Sequence, residues 1–418
     1  MIKDILILQK QELENKTKEK YIERKSNFGR LDSSMIKVII GPRRAGKSFF
    51  AVHFLNIHGN FGYVNFDDER LVETRDYDEI VIAMNSVYNN PKTILFDEIQ
   101  SLPRWELFAN RLQRQGYKLI ITGSNSKLLS KELATHLTGR HFLINIFPFS
   151  LSEYLNLFKD ELGRELTIFE IKEELSKYII YGGYPEPLIK KMEYRDYLST
   201  LFNSIIYKDI VKRYKIRFVR EIEDLAFYLL SNIASEYSFN ALSKVTRLKS
   251  VHTIQKYVDY LEEAFIFFSV SRFSYKVKEQ VYSNKKIYCL DNGFIYAKAF
   301  QTTPNQGKLY ENVVAVELKK KEMNKELNVY YWKNVQQEEV DFVVKQGARV
   351  IQLIQVCSNL NAKTKEREVR ALIKASKELK CKNLLLITED YEAEESKTWF
   401  GMKGKINFIP LYKWLLKQ

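Results

Sequence analysis

Eight consecutive residues carry the densest chemistry in the chain: Gly41, Pro42, Arg43, Arg44, Ala45, Gly46, Lys47 and Ser48, a G-x-x-x-x-G-K-S turn. The run "VII" precedes it and "FFAVHFL" follows, so the turn joins an apolar strand to a helix. Backbone N–H groups of such a turn point inward and the helix N-terminus adds positive potential, which together suit a polyphosphate. Lys47 is the group to bridge β- and γ-phosphates, and the Ser48 hydroxyl is a ligand for Mg²⁺, so ATP and Mg²⁺ are the expected ligands. In "TILFDEIQ" a second apolar run ends in two acids, Asp97 and Glu98. Taken alone, that pair could be a solvated strand end. Beside a phosphate-binding turn it gains a role, with Asp97 in the Mg²⁺ shell and Glu98 orienting the attacking water. A third run, "KLIITGSNS", ends in Thr122, Ser124 and Asn125, small polar groups suited to sensing a γ-phosphate.

These residues need a scaffold that brings several strand ends together. From 35 to 150, short apolar runs ("IKVII", "GYVNF", "KTILFDE", "KLIITGS", "HFLINIFP") alternate with helix-length polar segments. Such alternation predicts parallel strands covered by helices on both faces, with ligands at the carboxyl edge. Residues 1–34 read as a helical segment packed on the front of this core. Residues 151–220 turn helical, broken by "YGGYPEP", and read as a lid.

In 221–295, "SFNALSKVTRLKSVHTIQKYVDYLEEA" reads as a short helix, a turn and a second helix with Val251, Ile254, Val258 and Leu261 at core spacing. That leaves His252, Thr253, Gln255 and Lys256 outward, as on a recognition helix of a winged helix. Lys276, Lys278, Lys285 and Lys286, in the loop between two strand-like runs, would form a basic wing able to meet DNA phosphates. Winged helices also dock proteins or act as plain lids, and those readings stay open.

Of 418 residues, 66 are Lys or Arg and 52 Asp or Glu, a formal net charge of +14 that fits a polyanionic partner such as DNA. Cys289, Cys357 and Cys381 are odd in number and lack metal-ligand spacing, which suits a reducing cytoplasmic interior. No apolar stretch is long enough to span a bilayer and no leader pattern opens the chain.

The ordered set "GPRRAGKS", "YVNFDDERL", "LFDEIQSLPRWE", "IITGSNSKLLS", "LTGRHFLINIFPFSLSEYL", "YGGYPEPL", "YKDIVKRYKIR" and "LYENVVAVEL" through "EVDFVV" resembles the AAA+ ATPases of the P-loop class that carry a C-terminal domain of restriction-endonuclease type. The resemblance implies a P-loop core with a parallel sheet, a helical lid, a winged helix and, over 300–418, an α/β domain of nuclease type. It gives Arg140 the place of an arginine near the γ-phosphate, in its own or a neighbouring subunit. Pairing of Arg140 with a core acid is the alternative. It likewise makes Gly183, Tyr184 and Pro185 a lid turn against the nucleotide, where a plain helix-separating turn is the alternative. In the tail it places Glu311 and Asp341 at two acidic positions of a metal centre. The third strand departs, with Gln355 and Cys357 where Glu and Lys would stand, and this predicts a catalytically dead domain unless a lysine such as Lys345 or Lys363 reaches in.

The leading expectation is an ATP-driven switch acting on DNA through the winged helix and tail. The rivals are a nucleotide-stabilised scaffold or regulator binding a protein partner, and an ATP-gated DNA nuclease. Oligomeric state is left open by the residues.

Overall fold

The computed structural model describes residues 2–26, 35–72, 74, 76–125, 141–246, 248, 250–299, 305–399 and 401–418. The chain divides into two compact units, one of residues 1–148 with 263–265, the other of 149–262 with 266–418.

The first unit is built on a five-stranded parallel sheet of β1 (Ile36–Ile40), β2 (Phe61–Asn65), β3 (Thr93–Asp97), β4 (Lys118–Gly123) and β5 (His141–Asn145), in the order β2-β3-β4-β1-β5. β1 is buried along its whole length, as expected of a parallel strand covered on both faces, and its continuous apolar run explains why. β4 is inserted between β1 and β3. That insertion brings the ends of the phosphate-turn strand, the acidic strand and the Thr122-bearing strand side by side. The helix Ile2–Lys16 lies against β2, and Gln9 clamps the end of that strand by donating to Asn65 O (3.0 Å) and accepting from Asn65 N (2.9 Å).

The second unit is built on a nine-stranded mixed sheet. Its strands are β6 (Ser235–Tyr237), β7 (Phe267–Arg272), β8 (Lys285–Cys289), β9 (Asn328–Lys333), β10 (Glu339–Gln346), β11 (Arg349–Cys357), β12 (Leu384–Thr388), β13 (Ala393–Trp399) and β14 (Met402–Pro410). Their order is β13-β14-β12-β11-β10-β9-β7-β8-β6. Helix Val219–Ser231, β6, helices Phe239–Val245 and Val251–Glu263 and β7 follow one another, but the basic loop expected between the two strands is instead a short helix, Val277–Tyr282, capped by Lys276 and carrying Lys278, before β8.

The small sheet of that segment does not close on itself. β7 pairs in parallel with β9 through Ser271–Tyr330 and Arg272–Tyr331, so the segments expected as separate modules share one sheet. The lid segment belongs to this unit too. Gly183 donates its N–H to Asp291 Oδ2 (2.8 Å), and its carbonyl accepts from Phe149 N (2.8 Å). A Cβ on Gly183 would lie 2.4 Å from the Phe149 carbonyl oxygen, which is why glycine stands there.

Candidate functional site

The phosphate turn leaves β1 through Gly41, where a Cβ would lie 1.8 Å from the carbonyl oxygen of Ile146, so any side chain would force the turn off the sheet. Arg44 (φ 64°) and Gly46 (φ 93°) take left-handed backbone conformations, and helix Lys47–His58 starts directly after. Such a wound-back turn aims successive N–H groups at one point. From the N-terminal segment the buried Arg24 braces it, donating to Ala45 O (3.3 Å) and to Phe147 O. Tyr21 beside it stacks on His53 of the same helix at 4.1 Å. Neither brace has a spacing signature, because both act from a segment with no regular structure.

Lys47 is buried and its ammonium donates to Pro42 O (3.0 Å) while standing 3.6 Å from Glu98 Oε1. Ser48 Oγ donates to Asp97 Oδ1 (2.7 Å), as does Thr122 Oγ1, and Tyr63 donates to Asp97 Oδ2 (3.1 Å). Thr122 Oγ1 also accepts the N–H of Glu98 (3.0 Å) and so ties the two acids to β4. Glu98 itself lies in the left-handed region (φ 51°), a conformation costly for a non-glycine residue that is common at functional sites. Gln100 Nε2 donates to Glu98 Oε2 (2.5 Å) and reaches Ser124 Oγ at 3.4 Å. Asn125 is buried at the same edge.

The two neighbouring carboxyls are pushed in opposite directions. Burial, and next the charge of Glu98, raise Asp97 above the usual carboxylate range despite the hydroxyl donors of Thr122 and Ser48. Burial would raise Glu98 as well, but Lys47, Gln100 and Arg43 outweigh it and hold Glu98 below that range. An ionised Glu98 is the form able to take a proton from water. Ser48 Oγ and Asp97 are hard oxygen donors in contact with each other, the donor type that Mg²⁺ prefers.

Lys47, Ser48, Asp97, Glu98, Thr122, Ser124 and Asn125 thus come together at one sheet edge. Arg140 lies outside the described residues. Gly183 and Pro185 belong to the second unit; Pro185 opens a short helix and is buried, and Gly183 is held by Asp291 and Phe149. Sequence reasoning missed Tyr63, Gln100 and Arg24. For Gln100 a signal existed, since it follows the acids at a spacing of two.

In the second unit His252, Gln255 and Lys256 are exposed and Thr253 is half-buried, while Ile254, Val258 and Leu261 enter the core. Val251 departs from expectation: it starts the helix and stays exposed. Lys276 and Lys278 are exposed and Lys285 half-buried. Lys286 is a correction. It is buried, with its ammonium against Glu311 (2.9 Å), Asp341 (3.3 Å) and Glu339, because successive strand residues alternate faces and Lys286 falls on the inner one. It therefore cannot serve as a wing contact to phosphate. Gln355 is buried between Asp341 N, whose donation it accepts (3.1 Å), and Glu368, to which it donates (2.7 Å). Cys357 is buried and its thiol donates to Asn359 O (3.3 Å). The lysine that reaches in among the described residues is Lys286, rather than Lys345 or Lys363.

The profile of an AAA domain matches residues 33–155, and profiles of two domains of unknown function match 172–305 and 306–414. An uncharacterized protein of Methanocaldococcus jannaschii is 36% identical over 424 aligned residues, covering 97% of this chain and 93% of the relative. An uncharacterized protein of Haemophilus influenzae is 27% identical over 417 residues, covering 96% and 98%. Among solved structures, the Walker-type ATPase of Pyrococcus abyssi aligns with a TM-score of 0.44 at 16% identity, over 64% of this chain and 91% of that one.

Proposed function

The chain carries an AAA domain and belongs to one family with the Methanocaldococcus jannaschii protein, and from that premise we propose that it is a P-loop ATPase that binds and hydrolyses Mg·ATP and acts as a switch on DNA. The observation that carries the ATPase reading is the convergence of Lys47, Ser48, Asp97 and Glu98 at one sheet edge, with Glu98 kept ionised beside the lysine. The turn 41–48 supplies N–H donors to the phosphates, and Lys47 adds a fixed positive charge where negative charge accumulates. Ser48 and Asp97 are the protein donors for Mg²⁺, which when bound neutralises phosphate charge. Glu98 orients the attacking water and accepts its proton, while Thr122 fixes the backbone that carries both acids. Ser124 and Asn125 stand at the same edge to respond to the γ-phosphate. Arg140 is proposed to meet charge that develops at phosphoryl transfer.

Support for DNA comes from the net charge of +14 and from exposed polar and basic side chains, His252, Gln255 and Lys256 on helix Val251–Glu263 and Lys276 and Lys278 at helix Val277–Tyr282. The test is phosphate release from Mg·ATP in the presence of duplex, single-stranded and branched DNA. Stimulation by one of them supports the switch on DNA. Turnover indifferent to all three, with no DNA binding at low salt, would move the reading to a regulator that binds a protein.

A further inference from the structure

Among the described residues of the second unit, Lys286 is a buried cation whose ion-pair partners are three acids. Its side chain is 3% exposed, with Glu311 at 13%, Glu339 at 28% and Asp341 at 7%. The acids come from two elements. Glu311 projects from helix Gln306–Met323, and Glu339 and Asp341, two apart on β10, point to one face of the strand. Lys286 comes from β8, which is separated from β10 in the sheet by β9 and β7, and its ammonium lies 5.8 Å from the ring centroid of Tyr331 on β9. Tyr288, two residues on and on the same face, donates to Glu311 Oε1 (2.7 Å).

The acids are also fixed from behind. Asp341 Oδ2 accepts the N–H of Val356 (2.9 Å), and Gln355 bridges Asp341 N to Glu368. Buried carboxylates so arranged require a cation, because leaving them charged and unpaired costs several kcal/mol each. Such charge is met by a metal ion, by an ammonium or by protonation of an acid. Among the described residues no group of three or more His, Cys, Asp or Glu is arranged to hold a metal. The point on which Glu311, Glu339 and Asp341 converge is instead taken by Lys286 Nζ.

We propose that Lys286 is a built-in cation at the point where Glu311, Glu339 and Asp341 converge, so that this unit folds without metal and offers a divalent ion no place while the ammonium is there. Gln355 is then no lost ligand. It is a neutral spacer that adds no further negative charge to a centre already holding three acids against one cation. The proposal is independent of the ATPase reading, because no group of the first unit takes part.

The test compares native protein, Lys286→Ala and Lys286→Ala with Asp341→Asn in nucleotide-free buffer. Mn²⁺ binding is followed through the electron paramagnetic resonance of the free ion, and stability through the melting temperature. In native protein, millimolar Mn²⁺ should find no site in this unit and leave the melting temperature unchanged. Lys286→Ala should melt lower, gain one Mn²⁺ site over native, and recover about 5 °C or more when that site is saturated. The double variant should lose the site. If Lys286→Ala does not fold in metal-free buffer, refolding with Mn²⁺ should restore it. Failure of Mn²⁺ either to bind or to restore the variant would overturn the proposal and leave Lys286 a plain ion pair. Tight Mn²⁺ binding by native protein that is abolished by Asp341→Asn would overturn it from the other side.

Discussion

Replacing Lys47 by Met should damage the protein before any nucleotide is added. The Lys47 side chain is 3% and that of Glu98 13% exposed, with 3.6 Å between the charged atoms. At an effective dielectric of about 20, that separation corresponds to roughly 4–5 kcal/mol of direct attraction. Removing one member of a buried pair costs about 3–5 kcal/mol when the other is left without compensation. Glu98 keeps the Gln100 amide and the field of Arg43, so the lower end applies, about 3 kcal/mol. For a unit of this size that is a fall of roughly 5–10 °C in melting temperature. The second member of the cycle is decisive. Glu98→Gln in the Lys47→Met background removes the orphaned charge and should regain most of the loss, a coupling of about 2 kcal/mol. Thermal unfolding of the native protein, both single variants and the double variant in nucleotide-free buffer gives that number directly. Coupling below about 0.5 kcal/mol would show that Lys47 and Glu98 do not restrain each other, and the account of Glu98 as an acid held ionised by Lys47 would fall.

Gly41→Ala should yield little folded protein or none that binds nucleotide, since its Cβ would sit 1.8 Å from a backbone oxygen that cannot yield; normal binding of a fluorescent ATP analogue would refute this. Because Asp97 is raised above the usual carboxylate range, it takes up its proton earlier than an exposed aspartate as pH falls. A raised carboxyl favours the folded chain at pH below its unfolded value, and that contribution is lost as pH rises through the folded value, whereas Mg²⁺ needs the ionised form. Acidification through that range should therefore weaken Mg²⁺-dependent nucleotide binding while Asp97's own contribution to metal-free stability rises, and a metal titration independent of pH would contradict it. DNA affinity should fall steeply with salt, and Lys276, Lys278 and Lys285 changed together to Ala should flatten the slope. Lys286→Ala should instead lower stability, and an unaltered melting temperature would refute its placement.

The grouping of the candidate site was legible because its signals are local. Glycine at 41 and 46, Lys47 and Ser48 are fixed by backbone demands inside one turn, and Asp97 and Glu98 by their place at the end of an apolar strand. Its support was not. Tyr63 reaches Asp97 from the neighbouring strand β2, and Arg24 braces the turn from an irregular segment, so both contacts depend on tertiary placement. In the second unit the strands of 328–357 and 384–388 were readable as apolar runs. The β13–β14 hairpin was not, because Glu394, Ser396, Lys403 and Lys405 make its outer face too polar to stand out. Lys286 shows the limit most clearly. Side by side in "NKKIY", Lys285 and Lys286 look equivalent, yet the strand turns only one of them inward, beside Tyr288 and toward acids that lie 25 to 55 positions further along. A two-residue period would have separated them, but nothing in the sequence names the partners.

The central claim is tested most directly by measuring nucleotide binding and phosphate release side by side for native protein, Lys47→Ala and Glu98→Gln. Native protein should turn over Mg·ATP. Lys47→Ala should lose tight binding, because the positive charge at the phosphates is gone. Glu98→Gln should bind as native protein does and release almost no phosphate, because only the water-orienting carboxylate has been removed. Phosphate release by Glu98→Gln at the native rate, or equal loss of binding in both variants, would contradict the account.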